Sequence, residues 1–593
     1  MLFNLMLLAS LCSAPDSLEA ATVAADRRWA VSRTDTLSLH PLDDAALALQ
    51  QFPGLLVGDY GGLAGLKSVS LRGFGSPHTA IYLDGLRVGN VQSGQNDLGF
   101  IDIQSAASVV ADYAQNSIHF VSPRPVFPGG CPVSGELRLQ GGSFGTCLPY
   151  GRLNIRIGER WSLSAQAGGT ITKGDFPVAD GVLRANNDLR QFRGGTDLYG
   201  RLAGGDFHAK IYYSGAERGT PGSLDWPSAD RQQDRNAFGQ FLFRKAFGPR
   251  YSLQMSGKAG RDRLLYRSEW GDSRYAQTEF QLNSTQRFRI RPWWELSLQA
   301  DAVLDRLQSD LYQNVRAVAE GGLATSFRWT RLQADAALLY TGTFDTGSRW
   351  QSLSPSVDLR FALTEGWDLV AFGRRAYRTP TFNELYYPAY GNPDLRAEDA
   401  FLTDIGTDFR RSLGKWTLRA RADGYGNFLR DKILSAPSAE DPGIWLPYNV
   451  GKVQAFGTDL QAGFDYAAAS FSASAEFRYG WQQAIDKTPE SLTYGEQIPY
   501  AARHTVTAQG RASVSGWAVS VLWQLRAGRR DSFGSMPDWD RADLCLSKRI
   551  SLPGRCRLDL QLAVRNLWDS RYEIVSGYPL PGRHCMAGLS ICF

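Results

Sequence analysis

From residue 133 to the end of the chain, apolar and polar positions alternate with a period of two, in stretches of ten or more residues. In Trp517–Arg526, Trp517, Val519, Val521, Trp523 and Leu525 share one face, and Ala518, Ser520, Leu522, Gln524 and Arg526 share the other. Leu296, Leu298, Ala300 and Ala302 alternate with Ser297, Gln299 and Asp301, and Leu418, Ala420 and Ala422 with Arg419, Arg421 and Asp423. This period predicts β-strands with one apolar face. Two kinds of connection take turns between them. One is tight, as at Gly158-Glu159-Arg160, Gly204-Gly205-Asp206, Gly248-Pro249-Arg250 and Ser515-Gly516; the other is expected to be long and rich in Tyr, Trp, Asp, Asn and Pro. The count is about 22 strands, an even number, as bacterial outer-membrane barrels require.

A β-sandwich also alternates, so position decides. An aromatic follows successive tight turns, at Trp161, Tyr251, Trp293, Trp367, Trp416 and Trp517. Core packing would not tie aromatics to one end of successive hairpins, whereas a membrane interface does. Past the amino terminus no run approaches the roughly 18 apolar residues of a spanning helix. A membrane protein without such helices must close its sheet. The last strand, His584–Phe593, carries Ala587, Leu589, Ile591 and Phe593 on one face. The expected fold is therefore all-β dominated, a 22-stranded antiparallel transmembrane barrel over residues 131–593.

The front of the chain reads differently. Leu2 to Leu11 is a short apolar core followed by Cys12-Ser13-Ala14, so residues 1–20 read as a signal peptide. Residues 21–40 read as a polar tether. Leu42, Ala45, Ala46, Leu49 and Phe52 have the spacing of one short amphipathic helix. A glycine-rich turn (Gly61, Gly62, Gly65) precedes a strand over Ser68–Arg72; Thr79–Leu83 is a second, with Asp84-Gly85 as a tight turn into Leu86-Arg87-Val88. Ile118–Val121 is a further strand, and Pro123, Pro125 and Pro128 close the small domain, 41–130, near Gly129-Gly130.

Composition removes other classes. The net charge of +5 has both signs plentiful and no basic stripe with interleaved aromatics, so nucleic acid is not a partner on this reading. The six histidines show no metal-ligand pair spacing. Gly73-Phe74-Gly75 begins a nucleotide-type glycine pattern, but His78 stands where the third glycine belongs; no nucleophile elbow or zinc-protease motif occurs, and no enzyme is expected. Cys131 and Cys147 flank the first hairpin and remain candidate disulfide partners. Cys545 and Cys556 fall on opposite faces of theirs.

Phe52-Pro53-Gly54-Leu55, then Ser70-Leu71-Arg72-Gly73, then Tyr82-Leu83-Asp84-Gly85-Leu86-Arg87-Val88 resembles the plug domain of TonB-dependent outer-membrane receptors, with spacing nearest to BtuB-type cobalamin receptors. Tyr377–Tyr386 with Gly391–Leu395, Asn449–Lys452 with Gly457, and Asn566–Asp569 with Gly577–Arg583 resemble further receptor signatures. Ser105–Val109 and Asn116–Phe120 stand where many plugs carry an Arg-Gly-Pro segment and a Gly-Gly-Val-Ile-Asn run. The resemblance implies an outer membrane of a Gram-negative bacterium, a plug inside the lumen, and TonB with its energising complex pulling a TonB box near Thr22-Val23-Ala24 or Asp35-Thr36-Leu37.

It further implies TonB-dependent active transport of cobalamin or a related corrinoid. The rivals are the same machine carrying a siderophore, haem or another large solute, and a passive porin or adhesin. Loop residues supply the candidate ligand surface. Phe74 and His78 can meet a large planar ligand, Ser76, Gln92, Ser93, Gln95 and Asn96 can bond its amides, and Tyr386, Tyr387 and Tyr390 can cover it. Asp175, Asp180 and Asp188, with Asp225 and Asp230 in the next loop, offer oxygen ligands for structural calcium, as such receptors can use. No other cofactor is expected. Outer-membrane lipid and a surface lipoprotein complete the partners the resemblance suggests.

Overall fold

A computed structural model describes residues 33–38, 45–95, 97–101, 106–388, 390–437, 445–491 and 493–593. Twenty-two strands close into one barrel, each paired with its neighbour in sequence order along the wall. Val133–Gly142 meets His584–Cys592 to shut the ring, and Gly135 and Phe593 exchange backbone hydrogen bonds of 2.8 and 3.0 Å across that seam. Closure pairs every strand on both sides, which is what lipid demands.

Burial along the strands is inverted relative to a soluble protein. Ile405 is 69% exposed and Ile211 71%, while Asp404 and Lys210 beside them are 4% and 3% exposed. Trp293, Trp329, Trp367, Trp416 and Trp517 are exposed beside the tight turns, and Trp293, Phe327 and Trp329 stack on one another. They form an aromatic band at one interface. The opposite connections are long at 379–397, 487–503 and 566–583, as expected, but several others differ. Those at 222–227, 268–271, 309–313 and 345–348 are short, because the strands themselves run on, to 20 residues in Pro227–Ala246 and 21 in Gly271–Arg291. Asp230, expected in a loop, lies inside the first of these strands.

The plug sits within the barrel. Its main sheet has the order Thr34–Ser38, Ser108–Asp112, Ser117–Val121, Ala80–Leu83, Leu86–Val88, and a separate hairpin joins Leu55–Asp59 to Lys67–Leu71. The helix Ala45–Leu49 and the strands read from sequence all appear, and Asp84 and Gly85 take positive φ (49° and 84°), as their two-residue turn requires. Leu49, Phe52, Leu71, Ile81, Ile118 and Phe120 are buried in a core that the barrel residues Tyr212 and Phe238 complete.

Thr34–Ser38 is not part of a tether. It is the edge strand of the plug sheet, paired with Ser108–Asp112, and Asp35 and Leu37 are buried. Asp35-Thr36-Leu37 is therefore sheet. Thr22-Val23-Ala24 and the signal region lie outside the described residues. Cys131 and Cys147 cannot bridge. Val133 opposes Ile155 and Gly141 opposes Cys147, so the two cysteines occupy opposite ends of the hairpin, far beyond the ~7 Å Cα separation a disulfide tolerates.

Candidate functional site

The hairpin Leu55–Asp59/Lys67–Leu71 carries loop 60–66 toward the barrel end opposite the tight turns, and the strand Leu86–Val88 carries loop 89–95 there. Between these loops and the wall lies a cavity of about 570 Å³. Plug residues Asn90, Gln92, Ser93 and Gln95 line it, and facing them on the wall are Gln140, Asn187, Gln191, Gln232, Asn236 and Gln277. Apart from Asn187, which precedes the strand Leu189–Leu202, the wall amides come from lumen-facing positions of strands near their outer ends, where parity turns polar side chains inward. Phe144, Phe176 and Tyr572 add apolar surface.

The buried ions around the cavity are spent on protein partners. Arg218 reaches Asp97 at 2.6 Å and Asp234 at 3.5 Å. Burial raises the Asp97 carboxyl, but the Arg218 guanidinium and the Gly99 and Lys67 N–H groups more than offset it and hold the group below the usual carboxylate range. The Lys67 ammonium donates to the carbonyls of Gly62 and Gly65, and Asp59 accepts from the Gly61 and Gly62 N–H groups. Arg541 and Arg565 share Asp543 at 2.8 and 3.1 Å. The surface left for a solute is mostly neutral donors and acceptors, with the exposed Arg263 guanidinium and the Asp262 carboxyl, which accepts from Asn236, beside them.

A loop over residues 566–583 roofs this end. The Tyr60 and Tyr578 rings meet edge to face at 5.0 Å, and Arg184 lies over Tyr578. The Leu224 N–H donates to the Gly577 carbonyl from a hairpin several strands away. Tyr572, Ile574, Val575 and Leu580 anchor the roof on Trp539.

Gln92, Ser93 and Gln95 thus reach the cavity, and Asn96 lies outside the described residues. Phe74, Ser76 and His78 do not line it. Loop 72–79 lies at the same end of the barrel, where Pro77 packs beside Gly94 of loop 89–95, but its side chains turn to the wall. Phe74 is buried among Ala114, Phe372, Leu402 and Leu429, and His78 contacts the Glu398 carboxylate, which also holds Arg378. Ser76 opens a short turn whose carbonyl accepts from Thr79.

Tyr386, Tyr387 and Tyr390 also sit off the cavity, in a packed strap. Tyr386 bonds Asp345 at 3.2 Å, Tyr387 meets the Tyr312 ring, and Tyr390 bonds Ser435 at 2.8 Å. The strap grips the plug loop itself, since Phe382 and Asn383 N–H donate to the Val91 and Gln92 carbonyls. No oxygen cage forms among the expected acids. Asp180 pairs with Arg571, and Asp188 is held by both arms of Arg231 at 2.7 and 2.9 Å. Among the described residues, the acidic and imidazole groups that converge are Asp84, Asp197 and His208, and the Lys210 ammonium already occupies that spot, 2.6 Å from Asp84.

Sequence reasoning missed the wall amides and the roof. Lumen parity near strand ends was the available signal for the former.

A family model described as "TonB dependent receptor-like, beta-barrel" matches residues 166–567, and one described as "TonB-dependent Receptor Plug Domain" matches residues 24–118. A vitamin B12 transporter, BtuB, of Vibrio vulnificus (strain YJ016) is 22% identical over 568 residues, 88% of this chain and 85% of that protein. Among solved structures, the copper transporter OprC superposes with a TM-score of 0.78 at 15% identity, covering 94% of this chain and 98% of that one. The FrpB iron transporter of Neisseria meningitidis gives 0.75 at 14%, covering 95% and 100%. Identities this low establish the shared fold and leave the cargo to the site.

Proposed function

The chain belongs to the TonB-dependent receptor family, transporters of the Gram-negative outer membrane, and we propose that its cargo is a corrinoid taken up with TonB energy. The observation that carries this reading is the amide-lined cavity whose buried ions are paired among themselves. A corrin ring bears many carboxamides and little net charge, so it matches a surface of mostly neutral donors and acceptors. A ferric catecholate is strongly anionic and calls for a cluster of guanidinium groups, whereas Arg263 is the exposed arginine on this lining without an ion pair among the described residues. The Vibrio relative, a vitamin B12 transporter, supports the same choice.

A volume of about 570 Å³ suits a drug-sized solute. A complete corrinoid is bulkier, so the roof over residues 566–583 must lift to admit it. Passage then requires the plug to yield, and the outer membrane has no ATP of its own. Force from TonB on the amino-terminal segment reaches the edge strand Thr34–Ser38 first, which is paired on one side only. Arg33 latches that strand to the wall through Asp408 at 2.6 Å and through Asp423, and Arg421 donates to the Thr34 carbonyl at 2.7 Å.

The test is a binding titration of the purified chain with cyanocobalamin, a ferric siderophore and haem. Tight, saturable binding of cyanocobalamin alone is expected. Binding of the siderophore or haem instead would overturn the cargo and leave the family assignment standing.

A further inference from the structure

A second, smaller cavity lies between the plug hairpin and the wall, on the far side of Gln50 from the cargo site. It measures about 30 Å³ and is lined by Gln50, Gln482, Arg526, Arg529 and Trp539 among apolar residues including Leu55 and Ile574. Arg526 and Arg529 are each only 6% exposed, and neither has a carboxylate partner among the described residues. Arg526 donates to the carbonyls of Val506, Leu525 and Gln50; Arg529 donates to those of Glu573, Ile574 and Pro537. The nearby acids are committed elsewhere. Asp538 accepts from the Gly528 N–H, Glu573 from the Gly577 N–H, and Asp543 serves Arg541 and Arg565.

Carbonyl dipoles satisfy hydrogen bonds but carry no net charge. Asp538 and Glu573 act on Arg529 without touching it, whereas Arg526 feels only the Arg529 and Arg541 guanidiniums, and a buried charge so placed is costly. A second set of observations points the same way. Three donors on residues lining this cavity, Arg529 Nε, Trp539 Nε1 and Gln482 Nε2, have no acceptor, although each residue is at least nine-tenths buried. Unmet donors on three elements around one void call for a single acceptor inside it.

We propose that this cavity holds one small monovalent inorganic anion of chloride size, which neutralises the Arg526/Arg529 pair and accepts from Trp539 and Gln482. The small volume favours a monoatomic halide over a bulkier tetrahedral oxyanion. The anion would seat the plug against the wall, since Arg526 holds the Gln50 carbonyl at the end of helix Ala45–Leu49. The site does not depend on the identity of the cargo.

Crystals of the full chain grown in bromide should show an anomalous peak inside this cavity. The melting temperature in chloride or bromide should exceed that in gluconate at equal ionic strength by a few degrees. Arg529→Met should abolish that difference. Gln482→Leu, which removes an unmet donor without leaving a charge, should shrink it while preserving the fold. No anomalous peak, or a halide response identical in Gln482→Leu and the unmodified chain, would overturn the proposal and assign the void to water.

Discussion

Arg72 makes a buried ionic contact between plug and wall, and replacing it with methionine should unseat the plug. Its guanidinium lies 2.7 Å from Asp404 and 2.9 Å from Asp459, on two different barrel strands, and stacks over Tyr425 and Tyr113 at 3.9 and 4.4 Å. Burial alone would lower the Arg72 pKa, but the Asp404 and Asp459 carboxylates outweigh it and hold the group charged. At an effective dielectric of about 20, two unit charges ~4 Å apart attract by roughly 4 kcal/mol, so the two contacts sum to ~8 kcal/mol before desolvation is subtracted. Arg72→Met keeps the aliphatic stem and strands two carboxylates at 4% and 6% exposure. Losing one partner of a buried pair costs about 3–5 kcal/mol, roughly 10²- to 4 × 10³-fold in the seating equilibrium. Hydrogen exchange of the plug strands Ala80–Leu83 and Ser117–Val121 should accelerate by that factor while the barrel strands keep their protection. Adding Asp404→Asn and Asp459→Asn should recover most of the loss. Unchanged exchange in Arg72→Met, or no recovery in the triple variant, would refute the charge argument in favour of ring packing alone.

Ile405→Arg puts a charge on the lipid face beside a buried aspartate and should destabilise the barrel by about 2–4 kcal/mol in urea titrations of liposome-folded protein, whereas Ile405→Leu should be silent. Gln92→Ala and Gln95→Ala should each weaken corrinoid binding by about 1 kcal/mol, roughly fivefold in calorimetry, with the melting temperature unchanged. Asp84 and Asp97 are both held below the ordinary carboxylate pKa of 3.8, against the effect of burial, by Lys210 and Arg218 respectively. Their stabilising contribution is complete above that value and is lost as pH falls through the lower folded pKa, so plug protection should collapse only in strong acid; Asp97→Asn should flatten that decline.

The barrel was legible because its cause is local: lipid outside and water inside imprint a period of two on every strand, and Asp404 beside Ile405 shows it residue by residue. Strand ends were less legible. Nothing in Ser309–Gln313 distinguishes a short tip on long strands from a long loop, since both are polar. The plug strands Leu55–Asp59 and Ala80–Leu83 follow from alternation and the Asp84-Gly85 turn. Thr34–Ser38 did not, because an edge strand of five mostly polar residues gains its order from Arg33 and from its neighbour, both remote in sequence. The ligand surface divides the same way. Gln92, Ser93 and Gln95 were found because a polar loop beyond a plug strand is exposed by default. Phe74 and His78 misled because only tertiary packing decides whether the side chains of loop 72–79 face the cavity or the wall. Gln191 and Gln277 carried no local mark beyond parity, and Asn187, between two strands, carried none.

The most direct measurement is uptake of labelled cyanocobalamin by cells that express this chain as their sole corrinoid receptor, with and without a functional TonB. The account predicts saturable uptake with TonB and uptake at background without it. Uptake that persists in the absence of TonB would mean that the lumen conducts with its plug in place, and would contradict the account at its centre.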